Sequence, residues 1–204
     1  MDRFFSRSSS RYAKRFRRKG PDKISQLLVE HLSSLDVTSR TVLDVGCGVG
    51  SIHLSLLQRG AGFAEGVDVS LGMIEQAGSL ARELGVEKRV RYVHGDFAQL
   101  RGIVGEADIV VLDKVLCCYA DPFLLIEEST RKAKAFLALS YPGPSWIAAF
   151  GFRFMHWLGG VLGWGFRPYY HDPQMLGDAV KRSGFGEIFS GQTIVWQLKI
   201  YARA

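Results

Sequence analysis

Three glycines at alternate positions follow a short apolar segment that contains one acid. The apolar segment spans residues 42–45 and includes Asp44, and the glycines are Gly46, Gly48 and Gly50. An apolar run that ends in glycines predicts a buried strand followed by a tight turn. Because glycine has no side chain, its backbone approaches a ligand closely. The turn therefore predicts a binding site for a dinucleotide, a nucleotide phosphate or another adenosine compound.

Acidic residues end the next predicted strands, at Asp68, Asp96 and Asp113. In an open parallel sheet, ligands bind beyond the carboxyl ends of the strands. An acid at the end of the second strand, about 20 residues after the glycines, accepts hydrogen bonds from a ribose diol. Asp68 has this position. The dinucleotide fingerprint GxGxxG ends in a glycine where this chain has Ser51, so the pattern here is GxGxG.

Strand and helix patterns alternate five times between residues 41 and 142. This alternation predicts an α/β fold with a parallel sheet and helices on both faces. Two further strand-like runs, at 186–190 and 193–203, are joined by only a short link. They predict a terminal hairpin in which one strand runs antiparallel to the sheet.

An aromatic-rich segment, residues 145–166, interrupts the alternation between strand five and the last helix. Its length would just span a bilayer, but Arg153 and His156 lie near its centre, where an ionised Arg is costly. We expect instead a helical cap over the ligand cleft, inserted within residues 145–170. Interior glycines disfavour one long helix, so two shorter helices with a bend at Gly159 and Gly160 are predicted.

The motifs at the strand ends occur in a recognisable order. LDVGCGVG, GVDVS, HGDF and DIVVLDKVL follow one another within residues 40–140. In this order they resemble the class I S-adenosylmethionine (SAM)-dependent methyltransferases. The resemblance implies a Rossmann-like, seven-stranded, mostly parallel sheet with an antiparallel terminal hairpin. It also implies an enzyme that transfers a methyl group from SAM and releases S-adenosylhomocysteine.

The same resemblance assigns cofactor contacts residue by residue. Around the methionine part of SAM it implies Asp44, Gly46, Cys47, Gly48, Asp113 and Lys114. Asp44 would hold the amino group through water. Around the ribose and the adenine it implies Asp68, Val69, Met73, Asp96 and Phe97. Asp68 would bind both ribose hydroxyls, and Asp96 would accept a hydrogen bond from the adenine amino group.

A narrower resemblance concerns the acceptor half. DKVLCCYAD after strand four, LSYP after strand five and the aromatic insertion are similar to small bacterial methyltransferases that are distantly related to magnesium-protoporphyrin O-methyltransferase. The aromatic insertion favours a small or medium apolar acceptor. A hydroxyl acceptor also needs a base. His171 and Tyr141 are the candidate catalytic residues, with His171 first because histidine titrates near neutral pH.

The net charge of +6 is concentrated at one end of the chain. Residues 1–19 hold eight basic side chains and one acid, a charge of +7, so the remainder carries −1. A nucleic-acid-binding domain more often spreads its basic residues over a folded face, so this distribution argues against a nucleic-acid partner. We expect a basic N-terminal segment (1–20) and a methyltransferase domain (21–204). The segment is a lid, a membrane-surface helix or a solvated tail.

Cysteine usage and the N-terminal sequence predict a cytoplasmic protein, with peripheral membrane contact as an open alternative. The three cysteines make no disulfide framework, and no apolar stretch follows the basic residues as in a secretory leader. Cysteines and histidines lack the spacing of a metal site. Three other functions stay open: a nucleic-acid or protein methyltransferase that uses the basic segment, a SAM-binding protein without catalysis, and a nicotinamide-dependent enzyme.

Overall fold

The computed structural model describes residues 2–100 and 102–204, which form eight α-helices around one seven-stranded sheet. The helices are α1 (Asp2–Ser6), α2 (Ser9–Lys19), α3 (Lys23–Ser34), α4 (Ser51–Gln58), α5 (Leu71–Glu83), α6 (Pro122–Lys132), α7 (Trp146–Val161) and α8 (Pro173–Arg182). The strands are β1 (Thr41–Val45), β2 (Phe63–Asp68), β3 (Val90–His94), β4 (Ala107–Asp113), β5 (Ala133–Pro142), β6 (Phe185–Gln192) and β7 (Trp196–Arg203).

The strand order is β3-β2-β1-β4-β5-β7-β6. Strands β1 to β5 pair in parallel, and β7 pairs antiparallel with both β5 and β6. The predicted seven-stranded sheet with its reversed hairpin is therefore confirmed. The direction of strand addition reverses between β1 and β4, so their carboxyl ends diverge into a crevice that is the usual ligand site of such sheets.

Each face of the sheet buries its own apolar cluster. One face packs against α3, α4 and α5, with Val42, Ile109 and Ala138 pointing from the strands. The other face packs against α6 and α8, with Leu43 and Val110 pointing from the strands. Side chains alternate between the faces of a strand, so neighbouring residues of one strand belong to different clusters. This alternation decides which residues at the strand ends face the crevice.

The N-terminal segment forms α1 and α2, which pack against α5. Ser6 Oγ lies 2.8 Å from Ser70 Oγ at the start of α5. Near the other end of that helix, Arg17 donates two hydrogen bonds to Glu83, of 2.7 and 2.6 Å. This pair is exposed, so it fixes the direction of α2 more than it adds to stability. The basic segment is thus ordered against the domain and lies beside the crevice.

The aromatic insertion forms α7, a single helix of 16 residues. The predicted bend at Gly159 and Gly160 is wrong, because the helix continues through both glycines and ends at Val161. Gly159 is buried and packs against the side chains of Trp164 and Arg167, so its missing side chain allows close packing rather than a bend. Among the described residues, no helix combines the length and the apolar character needed to cross a bilayer.

Candidate functional site

The turn after β1 passes very close to the end of β4. Gly46, Gly48 and Gly50 have φ values of 67°, 54° and 84°, in the left-handed region that favours glycine. A side chain at Gly46 would overlap the side chain of Val115. The amides of Gly46 and Cys47 both donate to the Val67 carbonyl, at 2.7 and 3.0 Å. The turn is thus hydrogen-bonded to β2 and packs against Val115, in the loop after β4.

A cavity of about 460 Å³ opens at this turn, on the carboxyl edge of the sheet. This volume lies within the range of sites for small molecules and cofactors. Ten of the eleven cofactor residues expected from the sequence line it: Asp44, Gly46, Cys47, Gly48, Asp68, Val69, Met73, Phe97, Asp113 and Lys114. The eleventh, Asp96, is not a lining residue, although its sequence neighbours Gly95 and Phe97 are.

Asp68, at the end of β2, has both carboxylate oxygens fixed by backbone amides. Gly48 N donates to Oδ2 and Ser70 N donates to Oδ1, each at 2.8 Å. Burial raises the pKa of Asp68 above its ordinary value, and these two hydrogen bonds oppose that rise. Each oxygen keeps a further lone pair for a ligand hydroxyl. The side chain is therefore oriented to accept two hydrogen bonds from neighbouring hydroxyls.

Asp44 belongs to a buried network that the sequence did not predict. Its Oδ2 lies 2.8 Å from His53 Nδ1, and His53 Nε2 lies 3.1 Å from the Tyr92 hydroxyl. Burial raises the pKa of Asp44, and the partner His53 opposes that rise. Burial, with the nearby Cys47 and Asp44, also raises the pKa of the Tyr92 hydroxyl. His53 thus fixes the orientation of the Asp44 carboxylate beneath the glycine turn.

Cys47 lies at the centre of the turn and keeps its proton. Burial raises the pKa of its thiol well above the ordinary value, and the nearby carboxylates Asp44 and Asp68 raise it further. A protonated thiol is a poor nucleophile and a poor metal ligand. Within residues 2–100 and 102–204, no three His, Cys, Asp or Glu side chains come together as metal ligands.

The end of the cavity near the carboxyl end of β3 is apolar, and one tyrosine contributes to its lining. Met73 and Phe97 line this end, as does Tyr119. The Tyr119 hydroxyl donates to Asp96 Oδ1 at 2.6 Å, so one oxygen of that acid is already engaged. Burial raises the pKa of Tyr119, and its hydrogen bond to Asp96 adds to the rise. Asp96 thus holds Tyr119 as a wall of the cavity.

At the opposite end, Lys114 is the centre of a charged cluster. It has a φ of 61°, unusual for a residue with a side chain. Its Nζ donates to Asp22 Oδ2 at 2.6 Å and to Ser25 Oγ at 2.8 Å, and it lies 3.5 Å from Asp113 Oδ2. Burial acts to raise the pKa of Asp22, but Lys114 and Ser25 outweigh it and hold that pKa below its ordinary value. Asp22 is therefore an ionised carboxylate at the cavity wall.

The expectation that Tyr141 lies in the cleft is wrong. Its side chain is fully buried in the cluster between the sheet and α6 and α8. Burial and the neighbouring Tyr201 raise the pKa of its hydroxyl. Strand alternation explains the error, because the preceding residue, Ser140, faces the site instead. Ser140 Oγ donates to Asp113 Oδ1 and accepts from the Lys114 amide at 2.9 Å.

His171 does not line the cavity, but it contacts Tyr119, which does. Its Nε2 lies 2.8 Å from the Tyr119 carbonyl oxygen. A carbonyl only accepts, so Nε2 carries the proton in this contact. The Tyr169 amide makes a second link, to the Cys117 carbonyl at 2.8 Å. The segment after α7 is thus fastened to the loop after β4, and His171 holds Tyr119 in position.

The outer wall of the cavity is aromatic and comes from two distant parts of the chain. Phe5, Tyr12 and Phe16 line it from α1 and α2, and Trp196 lines it from β7. Arg15 lies at its edge, with a guanidinium nitrogen 3.8 Å from Asp22 Oδ2. Phe5, Tyr12 and Phe16 recur at helical spacing, which is a pattern visible in the sequence, whereas no sequence pattern marked Trp196.

A family model described as a methyltransferase domain matches residues 42–134. Ribosomal protein L11 methyltransferase from Actinobacillus succinogenes is 36% identical over 77 residues, which cover 38% of this chain and 26% of that protein. The Escherichia coli protein of the same name is 33% identical over 93 residues, covering 45% of this chain and 30% of that protein. The chain thus matches less than a third of the length of these curated relatives.

Solved structures resemble nearly the whole chain. Magnesium protoporphyrin IX methyltransferase from Synechocystis PCC 6803, solved with bound SAH, has a TM-score of 0.78 at 23% identity, covering 100% of this chain and 97% of that one. An O-methyltransferase family protein from Burkholderia thailandensis has a TM-score of 0.76 at 17% identity, covering 98% and 60%. The protein therefore shares the fold of class I SAM-dependent methyltransferases, and residues 42–134 match a methyltransferase-domain model.

The close approach of the turn to β4 can be tested with two alanine variants. Gly46 and Gly85 have the same φ of 67°, but only at Gly46 would a side chain meet another group. Gly85→Ala should cost about 1–2 kcal/mol of unfolding free energy from backbone strain. Gly46→Ala should cost a further 1–3 kcal/mol, about what overpacking costs. Urea unfolding measures both variants, and equal losses of unfolding free energy would contradict the contact of Gly46 with Val115.

The placement of Tyr141 predicts that its hydroxyl is dispensable for methyl transfer. Tyr141→Phe should keep SAM affinity and turnover, and change the unfolding free energy by less than about 1.5 kcal/mol. Its neighbour provides the matched comparison: Ser140→Ala removes the hydrogen bonds to Asp113 and Lys114 and should lower SAM affinity. Calorimetry and a labelled-methyl assay measure both. Loss of turnover in a stable Tyr141→Phe protein would restore the catalytic role.

Proposed function

We propose that the protein transfers a methyl group from SAM to a small or medium, largely apolar acceptor. The proposal rests on one observation: a single continuous cavity joins the expected cofactor site to an aromatic wall. It runs from the glycine turn and Asp68 to an aromatic outer wall that includes Tyr12 and Trp196. A cofactor at the inner part would present its methyl group towards the outer part, where an acceptor binds.

The hydrogen bonds of the turn favour SAM over a dinucleotide. A pyrophosphate needs free amides at a glycine turn. Here the amides of Gly46 and Cys47 donate to the Val67 carbonyl, and that of Gly48 donates to Asp68. The carboxylates of Asp44 and Asp68 also line this part of the cavity. These charges attract the ammonium and sulfonium groups of SAM and repel a phosphate.

We assign roles to the lining residues on this basis. Asp68 binds both ribose hydroxyls, and Asp44, held by His53, attracts the amino group of the methionine part. Met73 and Phe97 enclose the adenine. The turn residues Gly46 to Gly48 follow the methionine chain, while Val69 lies beside the ribose. Asp96 contributes through Tyr119, whose hydroxyl it holds at 2.6 Å.

Methyl transfer needs alignment more than acid or base chemistry. The acceptor atom attacks the methyl carbon, the carbon–sulfur bond breaks, and its electron pair stays on sulfur to give S-adenosylhomocysteine. The enzyme contributes by holding the two reactants in line. An acceptor that carries a proton releases it after or during attack. Lys114 holds the pKa of Asp22, the carboxylate at the cavity wall, below its ordinary value and makes it a weak base, so the proton passes to solvent.

The acceptor class follows from the outer wall. Four aromatic rings, those of Phe5, Tyr12, Phe16 and Trp196, offer a broad apolar surface. Lys114 lies over the Trp196 ring, 5.6 Å from its centroid, so a cation stands at the boundary between the aromatic wall and the cofactor end. An acceptor with an apolar body and one oxygen atom near the methyl group fits this arrangement.

The curated relatives suggest a different acceptor, a ribosomal protein. Their similarity covers only 38% and 45% of this chain. It therefore supports the use of SAM and says little about the acceptor. An assay with methyl-labelled SAM and a cell extract separates these functions. Label in the organic-soluble fraction supports our proposal, and label in protein or nucleic acid contradicts it. SAM binding without any transfer indicates a non-catalytic protein.

The role of Asp68 predicts a pH-dependent cofactor affinity. Burial raises the pKa of Asp68, so acidification should protonate it at a higher pH than an ordinary aspartate, which titrates at about 3.9. SAM affinity should therefore fall as the pH falls through this raised pKa. Asp68→Ala should lose about 1.5–3 kcal/mol at neutral pH and lose this part of the pH dependence. Calorimetry at several pH values measures the affinity for SAM and for NAD. Asp178→Ala, which removes an exposed acid, is the control. Binding of NAD in place of SAM would refute the cofactor assignment.

The aromatic wall predicts a separation of cofactor and acceptor effects. Tyr12→Ala removes one ring from the wall, while Phe63→Ala removes a similarly exposed ring outside the cavity. Tyr12→Ala should keep SAM affinity within about threefold. It should lower kcat/KM for the acceptor by about 10-fold or more, which corresponds to the free energy of burying an aromatic ring against the acceptor. Phe63→Ala should change neither. Equal effects of the two variants would place the acceptor elsewhere.

A further inference from the structure

Helix α7 presents its most apolar side to solvent. Six large side chains recur at spacings of one, three and four residues and cover roughly 100° of arc, at the 100° per residue of an α-helix. We call these the apolar face of α7: Trp146, Ile147, Phe150, Phe154, Trp157 and Val161. Towards the protein, the helix buries only two small residues, Ala148 and Gly159. This orientation is the reverse of that of an ordinary amphipathic surface helix.

The exposure of these side chains is large and continuous. Trp146 is 78% exposed, Phe150 is 67% exposed and Trp157 is 60% exposed. The Phe154 ring lies 6.2 Å from that of Phe150 and 5.9 Å from that of Trp157, so the rings form one row. Monomeric soluble proteins rarely expose contiguous apolar surface of this kind unless it binds a partner or a membrane.

A strongly basic surface lies next to this helix. The Phe166 ring, just after α7, packs 5.4 Å from Phe4 and 5.1 Å from Phe5, which connects the end of α7 to α1. Helix α2 follows and carries five cations on one outer side. We call these the basic strip: Arg11, Lys14, Arg15, Arg18 and Lys19. Arg167, beside Gly159 and Gly160, adds a cation at the end of α7 itself.

We propose that the apolar face of α7 and the basic strip of α2 form one docking surface for an anionic phospholipid bilayer. Aromatic rings bind at the boundary between headgroups and acyl chains, and nearby Lys and Arg side chains bind the lipid phosphates. Charge complementarity selects this occupant over a second copy of the chain. In a symmetric dimer the two basic segments, each with a charge of +7 over residues 1–19, would repel one another.

The basic strip adjoins the cavity, because its Arg15 is a lining residue. On the side of α7 opposite the apolar face, Phe152 packs edge-on against the lining residue Trp196, with ring centroids 5.7 Å apart. Docking would therefore bring the cavity close to the bilayer, where an apolar acceptor concentrates. Membrane binding itself does not depend on the proposed methyl transfer and is measured without SAM or acceptor.

Co-sedimentation with vesicles tests the proposal on the full chain. Phosphatidylcholine vesicles containing phosphatidylglycerol should bind the protein, pure phosphatidylcholine vesicles should bind it much less, and added salt should weaken binding. The double variant Phe150→Ala/Trp157→Ala should lower the partition coefficient by at least about tenfold. Arg11→Gln and Lys14→Gln should each lower it about fivefold.

Matched variants outside the surface separate this effect from general changes. Leu124→Ala removes an exposed apolar side chain of α6, and Lys181→Gln and Arg182→Gln remove exposed cations of α8. All three should bind vesicles as the unaltered protein does. Circular dichroism checks folding, and the glutamine variants of α2 test the proposal even if the aromatic pair alters α7. Equal binding to neutral and anionic vesicles would overturn the proposal. So would a dimer in sedimentation that needs Phe150 and Trp157 but is indifferent to lipid, or binding to RNA in place of vesicles.

Discussion

The site depends on one steric constraint, the close approach of the turn after β1 to Val115 after β4. Only a residue without a side chain fits at Gly46, and its left-handed φ of 67° turns the chain away from the strand direction. The turn then bonds back to β2 through the Val67 carbonyl. Three strand ends are thereby brought together around one cavity, and the amides that a phosphate would need are directed into the protein.

The charges around the cavity follow from this arrangement. With the amides engaged, the ligand meets carboxylates at the inner end, where burial raises the pKa values of Asp44 and Asp68. The network of His53 and Tyr92 beneath Asp44 offsets part of the cost of burying that acid. At the outer end the cations Lys114 and Arg15 lie beside the acids Asp22 and Asp113, so positive and negative groups balance there. The cavity is therefore acidic at its inner end and balanced in charge at its outer end, which suits a cationic cofactor at one end and a largely apolar acceptor at the other.

The sequence predicted the features that depend on local residue patterns. It did not predict contacts between elements that are distant along the chain. Apolar runs, glycines and acids marked the strand ends, so the sheet and most of the lining residues were foreseeable. Tyr141 was assigned to the wrong side because the side-chain alternation of β5 has a period of two, and a one-residue error moves a residue to the other face. The contact of His53 with Tyr92 needs the order β3-β2-β1 and the register of β2 with β3, which no local pattern specifies.

Helix α7 illustrates the same limit, since its periodic apolar pattern was visible but the direction of the apolar side was not. Its shallow attachment has a consequence for how the molecule opens. Local unfolding free energies are low where few apolar contacts are buried, and α7 buries only Ala148 and Gly159. The strands lie between two apolar clusters and open only with the whole domain. Amide hydrogens of α7 would therefore exchange with solvent before those of β1 and β4, through local opening of this helix while the sheet stays folded.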